Sequence, residues 1–200
     1  MSNIKVFEND LPKDLDLSNE KFIGLDNEAL GLVLGRDPLT LVQLGLESKN
    51  FYLIKLNRET YHAPNLIKAL SNDSTQYIMH YARQDLLWLK YHLNVKPKNI
   101  FCTKVASKLT RTYSSKHGLK DLVSEILDIH LDKTEQSSDW SKKKLTKKQI
   151  EYAMNDVLYL SEIKNSLNEK LINQKRFRLF KSIMKFMEIR VDLDLQGWEG

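Results

Sequence analysis

The sequence predicts a mixed-sheet α/β layer fold. Three observations carry this: closely spaced strand-like runs near the start, alternating strand and helix through the middle, and amphipathic helices to the end. Lys21–Asn27, Leu39–Leu46 and Asn50–Leu56 are short apolar or β-branched runs parted by turn-prone Gly, Asp, Pro, Ser and Asn. The links between these three are too short for parallel crossovers, so an antiparallel meander is expected. Gln76–Met79 and Ile100–Cys102 read as two further strands. Pro64 suits the first turn of a helix reaching about Ser71. Arg83–Leu93 places Leu86, Leu89 and Leu93 on one helical face, and Thr103–Tyr113 and Leu119–Leu127 read as two more helices separated at Gly118. A long helix is expected from near Thr146 towards Asn173, with Ile150, Val157, Leu160, Leu167 and Leu171 as its apolar stripe. A last helix over Phe177–Ile189 precedes an extended end, Val191–Trp198.

The length of 200 residues suits one domain, with its body over 1–175 and a closing helix and tail over 176–200. With 42% apolar and 28% charged residues the chain is an ordinary globular one, not a disordered or collagen-like one. No apolar run approaches the roughly 18 residues of a membrane span. The opening MSNIKVFENDLPKD has no apolar centre and mixes acids with its lysines, unlike a signal or transit peptide. A single cysteine, Cys102, cannot form an internal disulfide and fits a reducing, cytoplasmic setting. It also lacks an adjacent base that would make it a nucleophile, and the five histidines show no zinc-ligand spacing. The net charge of +5 is compatible with a polyanionic partner but names none. The run at Lys142–Lys144, Lys147 and Lys148 reads as a solvated helix entry.

Carboxylates carry the chemical signal. Asp26 and Glu28 stand two apart at a strand end, so strand alternation sends both to one face. Two such groups repel unless a cation lies between them, and hard oxygen ligands suit Mg²⁺ or Mn²⁺. Alone the pair is weak, because about three acid-x-acid pairs are expected by chance at this composition. Asp85 opens the Arg83–Leu93 helix, where an acid also suits the helix dipole. Tyr152 and Asp156 lie one turn apart on a helix face outside the apolar stripe, so neither is required by the core.

Taken in order, Asp26-x-Glu28, Asp85 and Tyr152-x-x-x-Asp156 closely resemble the DEDD superfamily of 3′–5′ exonucleases, in the branch with tyrosine in its third motif. The words His80-x-Ala82-x-x-Asp85 and Glu151-Tyr152-Ala153-Met154-Asn155-Asp156-Val157-Leu158-Tyr159-Leu160 resemble ribonuclease D over about Phe22–Leu171. A finer likeness covers nearly the whole chain. The segment Phe101–Tyr113, His117-Gly118-Leu119-Lys120, Gln136-Ser137-Ser138-Asp139-Trp140 and the ending Asp192–Trp198 look like the nanoRNase C family of ribonuclease D-like dinucleotidases. One departure is Asn27, where such enzymes commonly have threonine; by alternation its side chain should point away from the acids.

The resemblance implies a ribonuclease H-like exonuclease fold and two divalent ions, Mg²⁺ or Mn²⁺. Asp26, Glu28 and Asp156 would hold one and Asp85 would support the other, with Tyr152 orienting or deprotonating the attacking water. It implies short RNA as the partner, no membrane, and a ring-shaped homo-oligomer, an octamer, with the closing helix and Trp198 as candidate contacts. Lys108, Arg111, Ser115 and His117 form a basic cluster that would grip a 5′-phosphate, the alternative being a solvated helix face. Leu32 would wedge between two bases, or is simply core; His80 would support the second motif. Three activities stay open: dinucleotide hydrolysis, ribonuclease D-like trimming of longer 3′ ends, and silent RNA binding on the same fold. About 29 residues follow Leu171, too few for the additional helical RNA-binding domains of ribonuclease D, which tilts the expectation towards very short RNA.

Overall fold

The computed structural model describes residues 3–132, 134–135 and 138–198. Gln136 and Ser137, part of one of the motifs above, lie outside that set. Six strands form one sheet: β1 (Asn3–Glu8), β2 (Phe22–Ala29), β3 (Leu39–Leu46), β4 (Asn50–Lys55), β5 (Gln76–Met79) and β6 (Ile100–Cys102), in the spatial order β1-β4-β3-β2-β5-β6. The expected antiparallel meander is present, β2 pairing with β3 and β3 with β4. β5 and β6 add in parallel beyond β2, each reached through a helical crossover. β3 has all eight residues buried, as its nearly unbroken apolar run requires of a central strand covered on both faces.

Seven helices complete the described chain: α1 (Pro64–Leu70), α2 (Ala82–Leu93), α3 (Thr103–Thr110), α4 (Leu119–Leu127), α5 (Lys147–Leu158), α6 (Leu160–Asn173) and α7 (Phe177–Leu195). One sheet face packs against Leu66, Leu70, Leu86, Trp88 and Leu89 from α1 and α2. The other packs against Leu122, Val123, Val157, Leu160, Ile163 and Leu167 from α4, α5 and α6. α7 joins the two cores, placing Phe180 in the second and Met187 and Val191 in the first.

Four readings of the sequence are corrected. The first strand, β1, was not expected; it is an edge strand, mostly exposed, whose Lys5 and Glu8 mask any apolar alternation. The single long helix is two, because the backbone at Tyr159 (φ −102°, ψ 1°) leaves the helical region between α5 and α6. No proline or glycine marks that break, and the apolar period runs through it. α3 stops at Thr110 rather than Tyr113, since Arg111 (φ −116°, ψ 53°) turns out of the helix. Finally, the end read as extended is helical through Leu195: Val191 is fully buried one turn beyond Met187. Arg83 on α2 makes a two-pronged ion pair with Asp194 at 2.7 Å in each arm, and Lys96 binds Asp192. The closing helix is thereby tied to the helix that carries Asp85.

Candidate active site

β2 presents Gly24, Asp26 and Glu28 to the face that α5 covers. A Cβ on Gly24 would lie 2.9 Å from the Val157 carbonyl oxygen, and one on Gly45, opposite it on β3, would lie 3.0 Å from Val157 Cγ2. Two glycines thus let α5 settle directly on the sheet. The capping box of Thr146 and Gln149 fixes the start of α5, and the Gln149 amide also holds Ser138 Oγ at 2.8 Å and the Asp139 carbonyl at 2.9 Å. The register between β2 and β3 slips after Glu28, a bulge that bends the strand end beside the acids.

Carboxylate oxygens of Asp26, Glu28 and Asp156 all lie within 4.8 Å of one another. Asp85 joins them from the first turn of α2; its side chain is buried, and Oδ2 has no hydrogen-bond partner. Asn27 points to the opposite face, as expected, and donates from Nδ2 to the Asp85 carbonyl at 3.1 Å, which ties α2 to β2. Burial holds Asp26 well above the usual carboxylate range, reinforced by Asp85, Asp156 and Glu28. Glu28 is pushed up to about 9 by burial, then by Asp156 and Asp85. Asp85 is raised by burial and by Asp156. Like charges at this distance in a desolvated wall cannot all ionise without cations. Tyr152 stands among them, its phenol raised by burial and then by Asp156, Glu28 and Asp26. Trp140 packs against its ring at 5.9 Å between centroids.

These groups line a cavity of about 960 Å³. Leu32, 80% exposed, stands at its rim and is not core. The turn that carries it is held by Asp37, which accepts from the Val33 amide at 2.9 Å and pairs with Arg36 at 2.7 Å. His80 also lines the cavity; because the Thr103 hydroxyl donates to the Met79 carbonyl, the 2.9 Å contact makes His80 Nδ1–H the donor to Thr103.

The basic cluster is placed otherwise. Among the described residues, none of Lys108, Arg111, Ser115 and His117 lines the cavity. Arg111 is fully buried, and its guanidinium donates to both Glu125 carboxylate oxygens, to Ser107 Oγ at 2.8 Å and to the Lys116 carbonyl at 2.7 Å. With those donors committed, Arg111 closes the turn after α3. His117 shares the same Ser107 hydroxyl at 2.8 Å, while Lys108 and Ser115 are exposed. Among the described residues the cavity is lined by two lysines, Lys104 and Lys120, with Lys104 3.8 Å above the ring of Tyr81. Tyr81 itself adopts a left-handed backbone (φ 68°) just before α2. Lys104, Lys120 and Trp140 were visible in the sequence only within the motifs that carry the finer resemblance, with no role assigned to them.

The model of the 3′–5′ exonuclease family matches residues 6–172. Ribonuclease D of Desulfotalea psychrophila is 35% identical over 153 residues, which are 76% of this chain and 40% of that protein. The chain therefore spans about two-fifths of the length of that relative. Among solved structures, Brucella melitensis NrnC bound to pGG superposes with a TM-score of 0.93 at 40% identity, covering 99% of this chain and 96% of that one. Brucella melitensis NrnC with bound Mg²⁺ gives 0.92 at 40% identity, over 98% and 95%. Escherichia coli RNase D, at 23% identity and a TM-score of 0.76 over 87% of this chain and 46% of that one, shares the fold. The acids that met on paper as three separated motifs meet here on one cavity wall, and the chain belongs to the 3′–5′ exonuclease family, in its tyrosine-bearing DEDD branch beside nanoRNase C.

Proposed function

We propose that this protein is a divalent-metal-dependent 3′–5′ exoribonuclease that hydrolyses very short RNA, chiefly 5′-phosphorylated dinucleotides, to nucleoside monophosphates. The observation that carries the reading is the delivery of four carboxylates and a tyrosine by three elements to one cavity wall. The donor set fits a hard cation: it is all oxygen, it is strained by mutual repulsion, and it includes a buried Asp85 oxygen without a partner. Asp26, Glu28 and Asp156 would hold one ion, and Asp85 would support a second. When bound, Mg²⁺ or Mn²⁺ supplies Lewis-acid chemistry for attack on the scissile phosphate and departure of the 3′ oxygen.

The chain's own groups do the rest. Tyr152, its phenol raised, keeps its proton at neutral pH and orients the attacking water through its hydroxyl. His80, fixed by Thr103, supports the wall that carries Asp85. Leu32 enters between the two bases, and Lys104 and Lys120 offset phosphate charge. The likeness along 99% of the chain to a protein solved with pGG supports a substrate of two nucleotides. A ring-shaped homo-octamer belongs to the same reading, supported by exposed Leu179, Phe186 and Ile189 along α7; light scattering that returns a monomer would refute it. A cytoplasmic setting agrees with the free, buried Cys102 and with the absence, among the described residues, of any helix able to cross a membrane.

The test is incubation with 5′-labelled RNAs of two to seven nucleotides, with Mn²⁺, with Mg²⁺ and with EDTA. Rapid loss of the two-mer alone, abolished by EDTA and by Asp26→Ala, is expected. Stepwise trimming of every length would instead establish a ribonuclease D-like activity. No metal-dependent cleavage would leave an RNA-binding role.

A further inference from the structure

Gln43 sits at the centre of β3, directly opposite Asp26 on β2. Opposed residues of an antiparallel pair project from one face with Cβ atoms about 4.5–5.5 Å apart. Gln43 therefore shares the face of Asp26, beneath α5. It is fully buried, and neither its Nε2 nor its Oε1 has a hydrogen-bond partner. Apart from Asp26 and, diagonally on β2, Glu28, its neighbours on that face are apolar: Leu53 across on β4 and Leu41 along the strand, which share a buried cluster with Ala153 of α5. A leucine or methionine would fill this place without leaving an amide unpaired, so packing does not account for the glutamine.

We propose that Gln43 is a positioning residue of the acid cluster: unpartnered as the chain stands, its carboxamide N–H turns to donate to the Asp26 carboxylate when a divalent cation binds, holding that carboxylate in the ligating orientation. The proposal rests on the metal reading given above. An amide suits the task because it supplies a hydrogen bond without a positive charge; a lysine or arginine there would neutralise the acids and compete with the metal. Partners that orient metal ligands in this way are worth about 10–100-fold in metal affinity.

The experiment compares wild type with Gln43→Met and Gln43→Leu, neither of which donates or accepts strongly. Mn²⁺ affinity is read by electron paramagnetic resonance of free Mn²⁺ in the absence of RNA, and Tm is read on metal-free protein. Both variants are expected to bind Mn²⁺ about 10-fold or more weakly, with a metal-free Tm equal to or above that of wild type because an unpaired buried amide is gone. Affinity within twofold of wild type overturns the proposal. So does a lower metal-free Tm, or loss of soluble protein, in both variants, which assigns Gln43 to packing. A wild type that binds no Mn²⁺ overturns the metal reading itself, whereas a wild type that binds, beside variants that bind equally, overturns the role of Gln43 alone.

Discussion

Gly24→Ala tests how the fold places the third motif. The added Cβ would lie 2.9 Å from the Val157 carbonyl, where ordinary contact begins at 3.4 Å, so α5 and the sheet must part by about 0.5 Å. The obstacle is backbone and no rotamer change relieves it. Overpacking of this kind costs about 1–3 kcal/mol, which in a domain of this size lowers Tm by roughly 2–12 °C. Val157 directly follows Asp156, so the shift is passed to a ligand of the proposed metal site and, one turn back, to Tyr152. Misplacement by an ångström costs about 100-fold in rate, and half that distance is expected to cost about 10-fold. Gly45→Ala provides the contrast, since the atoms its Cβ would meet are all side-chain ones: Val157 Cγ2 at 3.0 Å, Val157 Cβ at 3.1 Å and Phe51 Cε1 at 3.2 Å. Adding Val157→Ala removes the closest of these atoms and should recover part of the activity for Gly45→Ala but none for Gly24→Ala. The measurements are kcat on a 5′-phosphorylated dinucleotide under saturating Mn²⁺ and the melting curve. A Gly24→Ala protein with wild-type kcat and Tm would refute the view that close seating of α5 aligns the acids.

Three further outcomes are expected. Glu28, raised from 4.5 to about 9, stays protonated in the folded metal-free chain and ionises on unfolding; Asp26 and Asp85 shift in the same direction. The folded state then holds more protons, so metal-free stability falls as pH rises from about 4.5 to about 9, and Mn²⁺ raises Tm most at the alkaline end, as calorimetry across that range will check. Arg111→Ala should lower Tm while leaving KM for the dinucleotide unchanged. It strips Glu125 of the partner that holds its carboxyl at about 2, so the loss is present above pH 4.5 and fades as pH falls through about 2; a sharply raised KM would restore the phosphate role. A double-mutant cycle of Arg83→Ala and Asp194→Ala should give a coupling of about 1 kcal/mol in Tm-derived stability, because Arg83 is partly exposed and solvent screens the pair; no coupling would detach α7 from the Asp85 helix.

What could be read from sequence divides along the range of the interactions. Asp26, Glu28, Asp85, Tyr152 and Asp156 were legible because residue type and ordered spacing survive without coordinates. The meander was legible because its links are short. The burial of Arg111 was not legible, since an exposed basic face and a buried arginine pairing with Glu125 fourteen residues later have the same local pattern. β1 went unread because its partner, β4, is forty-odd positions away and an edge strand needs no apolar alternation. The helix break at Tyr159 has no proline or glycine beside it, so local composition carries no trace of it. Gln43 sat unnoticed inside an apolar run, since its meaning lies in the register that sets it against Asp26.

That division has a chemical reason. The acids are destabilising where they stand: burial and mutual repulsion oppose ionisation of Asp26, Glu28 and Asp85 together. A wall of this kind holds its shape only if neighbouring elements over-determine it. The glycine pair seats α5, the Asn27 amide and the Arg83–Asp194 pair tether α2, and the bulge after Glu28 bends the strand end. None of these supports is acidic, so none bears the signature by which the site was found. The repulsion they hold in place is what a divalent cation relieves on binding, which makes metal dependence a property of the scaffold as much as of the ligands. Strengthening the scaffold while removing one acid should therefore raise metal-free stability and lower activity at once. Asp85→Asn is the sharpest instance: an amide at that buried position carries no charge to repel Asp26 and Asp156. Its metal-free Tm at pH 8 should exceed that of wild type, while Mn²⁺-supported turnover falls by about 100-fold or more. A variant less stable than wild type at pH 8 would show that the acids are not held against their own repulsion.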